Sequence, residues 1–295
     1  MNFNRLIFLC LFLATQLVVT AQQFQTIPYL KSDTSSLSMD IFLPDDKSLK
    51  DFPLVIFVHG GGFSGGNRTA GHVFAKAMAA NGIACASISY TLSRKGKGFD
   101  CNSSQADKIY TMQLAASETW QATRFLIENA GKYGFDSNKI FLAGSSAGTE
   151  TVLHAAFLDR NKMNLHSTNL PVNFNYRGVI SGAGAILDLN MITKSNVIPC
   201  FFFHGDQDPL VPYDKGAHHY CSPSAPGWMM LFGAKSIHEH LKTLSTSTQF
   251  YAYPGGGHEI AGYLFDHEQE KIADFIKEVL DGSVFYKTIH TKVKK

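Results

Sequence analysis

Six short, almost wholly apolar runs recur along the chain, at Leu54 to Val58, Ile83 to Ile88, Ile140 to Ala143, Val179 to Ser181, Ile198 to Phe203 and Phe250 to Tyr253. A strand with one wet face alternates polar and apolar residues. Runs without alternation therefore predict strands buried on both faces, as in a parallel sheet covered by helices. Between them lie helical stretches, one with Ala116, Trp120, Thr123 and Ile127 on a single face at spacings of three and four. A last helix is predicted around Ile272, Phe275, Ile276 and Val279, with Asp266 as its cap and Gln269 completing a capping-box-like pair. Two earlier segments, Phe24 to Leu30 and Leu37 to Leu43, alternate or end at Pro44 and read as antiparallel edge strands. The pattern is that of an α/β fold: a mostly parallel central sheet, antiparallel N-terminal strands, and helices on both faces.

Residues 1–21 read as a signal peptide, with Arg5 before the apolar run Leu6 to Leu13 and a small-x-small pattern at Val19-Thr20-Ala21. Thr15 and Gln16 interrupt the run before it reaches membrane-spanning length. The expectation is a secreted or periplasmic protein without stable membrane insertion, its residues 22–295 forming one catalytic domain. Arg5 is the leader's only charged residue, so its removal takes the formal charge from +2 to +1, which gives no electrostatic reason to expect nucleic-acid binding. Cys85 and Cys200 fall in strand-like runs and read as buried thiols. Cys101 and Cys221 fall in polar loop sequence, where an oxidising compartment allows them to pair, two free thiols being the alternative. No cysteine spacing suggests zinc, and no metal or cofactor is expected.

The sharpest local signal is Gly144-Ser145-Ser146-Ala147-Gly148, directly after one predicted strand and before a helical stretch. A G-x-S-x-G on a strand-to-helix turn is a nucleophile elbow, its glycines permitting close backbone approach while the serine projects from the turn. Only Ser146 satisfies the spacing, because centring on Ser145 would need glycine at Ala143 and Ala147. Upstream, the strand Leu54 to Val58 runs into His59-Gly60-Gly61-Gly62-Phe63. Residues without side chains expose N–H groups to a developing oxyanion, which assigns Gly61, Gly62 and the N–H of Ala147 as its donors. The base is expected at His258, in a glycine-rich turn after the last buried strand. His59 and His204 read as structural, while His218 and His219 lie in an insert and face either substrate or solvent.

His59-Gly60-Gly61-Gly62, Gly144-Ser145-Ser146-Ala147-Gly148, His204-Gly205-Asp206-Gln207-Asp208 and Gly257-His258 together resemble the motif set of the α/β-hydrolase carboxylesterases. The likeness spans nearly all of residues 22–295, and Ser89-Tyr90 and Tyr133-Gly134-Phe135-Asp136 resemble the feruloyl-esterase-like and formamidase-like branch, alongside the hormone-sensitive-lipase-like esterases. The resemblance implies an α/β-hydrolase fold, ester hydrolysis without a cofactor, and Asp208 as the acid that orients His258. Asp206 is then a turn residue accepting local backbone N–H groups. The family often continues its elbow with a second glycine, where this chain has Thr149-Glu150. Glu150 would narrow the pocket or adjust its charge, or simply meet a polar neighbour.

Three stretches fit the sheet poorly: Ser93 to Asp107, Asp159 to Tyr176 and Tyr213 to Gly233. Inserts after strands of such a sheet are candidates for a pocket rim, or are solvated loops without a role. Phe63, Trp228 and Met229 are the expected substrate contacts, with Met230 and Phe232 beside them. The expected reaction is acyl transfer through Ser146, on acetyl or feruloyl esters of carbohydrate. The alternatives are an amidase, formamidase or prolyl-type peptidase of the same fold, and an inactive hydrolase-fold binding protein. Oligomeric state is not readable.

Overall fold

The computed structural model describes residues 24–31, 36–46, 48–162, 165–166 and 170–293. The expected leader, residues 1–21, lies outside them. The strands are β1 (Gln25–Lys31), β2 (Ser36–Phe42), β3 (Phe52–Val58), β4 (Ala84–Ile88), β5 (Phe135–Ser145), β6 (Gly178–Gly182), β7 (Ala185–Ile186), β8 (Cys200–Gly205), β9 (Lys215–Ala217), β10 (Met230–Gly233), β11 (Thr248–Tyr253) and β12 (Tyr286–His290). Nine of them form one sheet in the order β1-β2-β4-β3-β5-β6-β8-β11-β12. β1 and β2 run antiparallel at one edge, as expected, and all pairings from β4 to β12 are parallel.

Alternate strand residues supply two cores. Leu54, Ile56 and Val58 face one side, under α2 (Gln105–Glu128), α3 (Ala130–Tyr133), α4 (Ala147–Phe157) and α5 (Ala234–Thr243). Val55 and Phe57 face the other, under α1 (His72–Ala80), α6 (Ile260–His267) and α7 (Glu270–Leu280). Both faces are dry, which is why the strands read as continuous apolar runs. On α2, Ala116, Trp120 and Thr123 are buried and Ile127 half-buried, and the Trp120 indole donates to the Ala155 carbonyl at 2.8 Å.

Three features depart from expectation. Asp266 does not cap the final helix: it lies within α6, and α7 starts at Glu270 with no side-chain cap from Gln269. Gln269 Nε2 instead donates to the Phe265 carbonyl at 2.9 Å. An apolar stripe continues across the break at Glu268, so periodicity alone merges the two short helices. β12 extends the sheet beyond β11, and β9 and β10 of the third insert pair with β7, which follows β6, in a three-stranded sheet β7-β10-β9. Of the inserts, the first and third are stitched together by Gln105 N–H to the Pro226 carbonyl and Gly227 N–H to the Cys101 carbonyl, both at 3.0 Å.

Cys101 and Cys221 form a disulfide between these two inserts, with Cα atoms 5.4 Å apart at a sequence separation of 120. Cys85 and Cys200 are buried free thiols on β4 and β8, and burial pushes both thiols up. Replacing Cys101 and Cys221 by serine is expected to lower unfolding free energy by about 2–5 kcal/mol in urea titrations, because the closed loop is long.

Candidate active site

β5 ends at Ser145 and α4 begins at Ala147, leaving Ser146 alone on the turn with φ 54° and ψ −125°. A left-handed φ at a non-glycine residue costs on the order of 1–3 kcal/mol and persists only where neighbours enforce it. Here the Ser146 N–H donates to the Gly182 carbonyl at 2.8 Å. The Thr149 hydroxyl bridges the Gly144 and Gly182 carbonyls. Gly148 lets α4 close on β3: a Cβ there would lie 2.0 Å from the Val58 carbonyl oxygen.

The Ser146 hydroxyl meets His258 Nε2 at 2.8 Å, and His258 Nδ1 meets Asp208 Oδ2 at 2.7 Å. A carboxylate only accepts, so the Nδ1 proton sits between His258 and Asp208, and Nε2 is left to accept from the serine. Asp208 is buried and collects further donors: His204 Nε2 at 3.1 Å on Oδ2, and the N–H groups of Leu210 and Val211 at 2.8 and 3.0 Å on Oδ1. Burial alone would raise the Asp208 carboxyl, but hydrogen bonds from His204 and His258 outweigh it and hold the group well below the usual carboxylate range.

Gly61, Gly62 and Ala147 all line the cavity above Ser146. Among the described residues, none of their N–H groups is spent on an internal hydrogen bond. Gly61 and Gly62 have φ of 111° and 58°, and a Cβ on Gly61 would lie 2.4 Å from the Gly65 carbonyl oxygen. Beneath the loop, His59 Nδ1 donates to the Gly60 carbonyl at 2.7 Å and its ring stacks on Tyr90, so His59 is structural as expected.

The cavity measures about 410 Å³ and carries Phe99 from the first insert and His218 and His219 from the third. The second insert lines a separate hollow. Phe63, Trp228 and Met229 do not line the Ser146 cavity. Phe63 turns inward on a left-handed backbone and packs against Tyr90 and Phe99 in the core. Met229 is buried just before β10, while Trp228 beside it points outward and is half-exposed. Asp206 differs from its expected local role: its Oδ1 accepts from the Gly255 N–H at 2.7 Å, tying the acid loop to the histidine loop. Glu150, fully buried, does line the cavity, 3.2 Å from His218 Nε2. Its position one turn after Ser146 was legible, but no sequence pattern connects it to His218.

A parallel sheet with an antiparallel edge and a serine, imidazole and carboxylate in line at its strand ends defines the α/β-hydrolase class. The profile of the BD-FAE family matches residues 39–196, more than half of the chain, and the chain belongs to that family. It is 33% identical over 110 residues to a probable isoprenylcysteine alpha-carbonyl methylesterase of Oryza sativa subsp. japonica, covering 37% of this chain and 23% of that protein. It is 23% identical over 166 residues to the juvenile hormone esterase of Tribolium castaneum, covering 56% of this chain and 26% of that protein. The chain thus spans about a quarter of the length of these relatives. Esterase 2 of Thermogutta terrifontis, propionate bound, superposes with a TM-score of 0.62 at 17% identity, covering 88% of this chain and 94% of the other. Its paraoxon-phosphorylated form superposes with a TM-score of 0.62 at 15% identity over the same shares, 88% and 94%. These superpositions establish a shared fold.

Because the folded Asp208 carboxyl lies below its unfolded value, its stabilising contribution is fully present above the unfolded range, about pH 4, and is lost as pH falls toward the folded value. Wild-type stability in urea is therefore expected to fall between pH 5 and pH 2, and Asp208→Asn to flatten that decline. Gly148→Ala is expected to cost at least about 1–3 kcal/mol, since the contact it breaks is with backbone and cannot be relieved by a side-chain rotation.

Proposed function

We propose that the protein is a serine carboxylic-ester hydrolase working through an acyl-enzyme on Ser146. The observation that carries this is the aligned pair of contacts, Ser146 Oγ to His258 Nε2 at 2.8 Å and His258 Nδ1 to Asp208 Oδ2 at 2.7 Å, beside three unspent N–H groups. His258 takes the serine proton as Oγ attacks the ester carbonyl. The resulting oxyanion is held by Gly61, Gly62 and Ala147, and the imidazolium returns its proton to the departing alkoxide. Water activated by the same imidazole then releases the acid. Asp208 fixes the imidazole tautomer and stabilises its charged form.

The relatives named as esterases, and the paraoxon-phosphorylated and propionate-bound forms of the Thermogutta enzyme, favour this reading. The 410 Å³ cavity suits a small acyl group, acetyl esters of carbohydrate being the substrate class we favour over bulkier feruloyl esters. The Cys101–Cys221 disulfide supports an oxidising, extracytoplasmic location, in keeping with a cleaved leader. Amide substrates would use the same residues, and no observation favours them.

Ser146→Ala is expected to abolish hydrolysis of p-nitrophenyl acetate and butyrate with its melting temperature near wild type, while Ser145→Ala keeps much of the activity. Labelling by an organophosphonate at any residue other than Ser146 would overturn the assignment. Asp208→Asn is expected to cut the turnover number by on the order of 10⁴. Asp206→Asn should act mainly on stability by loosening its bond to Gly255. Steady-state kinetics of the two folded variants in the reverse order would move the acid to Asp206.

A further inference from the structure

Beside Ser146 lies a second polar assembly that the reaction does not use. The Glu150 N–H donates to the Ser146 carbonyl at 3.0 Å, so Glu150 stands in the first turn of α4 directly after the nucleophile, and both residues line the same cavity. Glu150, His218 and Lys108 are each essentially inaccessible. Lys108 Nζ donates to the Gly227 carbonyl at 3.0 Å and approaches His218 Nδ1 at 3.4 Å. An ammonium has no lone pair, so Nδ1 must accept and the ring proton sits on Nε2, facing Glu150 Oε1 at 3.2 Å. Beyond this contact Oε1 has no hydrogen-bond partner among the described residues.

A buried carboxylate short of donors is costly, and the cost is recovered when a bound molecule supplies one. Burial would raise the Glu150 carboxyl, but the facing His218 outweighs it and holds the group below its ordinary value. Lys108 balances the carboxylate, and burial pushes His219 down to about 4, leaving it neutral near pH 7. A bound ammonium would meet a like charge at Lys108 and a second carboxylate a like charge at Glu150, which selects a neutral donor. Around it the wall is apolar: Phe99, Leu210, Val211 and Ala261.

From this we infer that Glu150, presented by His218 and Lys108, is a specificity-determining residue that recognises a hydroxyl two or three bonds from the scissile ester. This rests on Ser146 being the nucleophile and names the substrates of that same site: esters with a neighbouring free hydroxyl, on either the acyl or the alcohol side. The hydroxyl donates to the Glu150 carboxylate where it lines the cavity, while the ester carbonyl meets Gly61, Gly62 and Ala147, so the contact orients the substrate and takes no part in bond making.

Two matched pairs separate the sources of the hydroxyl. On the acyl side p-nitrophenyl 3-hydroxybutyrate is compared with p-nitrophenyl butyrate, and on the alcohol side 2-hydroxypropyl butyrate with propyl butyrate by pH-stat. Wild type is expected to favour the hydroxylated member of one pair by about ten- to a hundred-fold in kcat/KM, the range for a hydrogen bond to a charged group. In Glu150→Gln that ratio should fall several-fold toward one. Should Glu150→Gln not fold, Glu150→Asp, which withdraws the charge by one methylene, is read for the same fall. Ratios within two-fold of one in both pairs, from an enzyme that hydrolyses the plain butyrates, overturn the inference and leave the esterase reading intact. An unchanged ratio in the folded variant overturns it as well. Failure of wild type to hydrolyse any of the four esters would instead sink the esterase reading, and the inference with it.

Discussion

The site hangs on one backbone contact, the seating of α4 against the end of β3. With a Cβ at Gly148 placed 2.0 Å from the Val58 carbonyl oxygen and 2.6 Å from that of His59, only a residue lacking that atom allows the helix so close. From this approach follow both the height of Ser146 above the sheet and its nearness to Gly61 and Gly62, because β3 leads directly into their loop. The left-handed φ of Ser146 is the local consequence. Its cost is offset by the hydrogen bond to Gly182 and by Thr149, whose hydroxyl ties the turn to β5 and β6. Thr149 thus answers part of what the departure from a second elbow glycine does in this chain: it locks the turn.

The other half of the site obeys the same constraint. β8 and β11 are parallel neighbours in register, Gly205 opposite Tyr253, so the loops that follow them leave the sheet side by side. A Cβ on Gly205 would lie 2.2 Å from the Gly256 carbonyl oxygen, and Asp206 pins the loops together through Gly255. Parallel strands thereby bring His258 to Asp208, although 50 positions separate them. The Asp208 carboxylate is held from below by His204, whose Nδ1 has no hydrogen-bond partner among the described residues, so its proton belongs on Nε2 and points at Asp208. One carboxylate oxygen then receives two imidazole donors, which leaves little freedom for the acid to turn away from His258.

What was legible in the sequence follows these physical lines. Buried strands announce themselves by unbroken apolar runs, so β3 to β6, β8 and β11 were readable to within a few residues, apart from the extended start of β5. β12 was not, because an edge strand with alternately exposed residues resembles the polar tail around it. Ser146 and His258 could be placed because their glycine-rich turns follow strand ends, and Asp208 through the resemblance of His204-Gly205-Asp206-Gln207-Asp208 to the esterase motif. Side-chain direction outside regular elements was a different matter. Phe63 looked like a pocket residue, but a left-handed backbone sends it into the core, and of the neighbours Trp228 and Met229, just before β10, the first is exposed and the second buried. Asp206 could not be assigned for a similar reason, since its partner lies 49 positions on.

Chemistry and discrimination are therefore encoded in different parts of the chain. The reacting groups stand on glycine-dependent contacts between sheet elements, which leave almost no latitude in sequence. The wall facing them comes from the first and third inserts, whose lengths the sheet does not dictate, joined through Cys101 and Cys221. That wall carries its own strain: His219 and Tyr220 both hold positive φ, 55° and 51°, at positions where non-glycine residues rarely do. The His219 N–H is anchored to the Leu210 carbonyl at 2.8 Å, two residues beyond Asp208, and the disulfide follows one residue after Tyr220. The insert is thus fastened at one end to the acid loop and at the other to the loop bearing Phe99. His218 is held between them, against Glu150 on the nucleophile's own helix. A change in either insert would therefore be felt by the pocket wall before it reached the reacting groups.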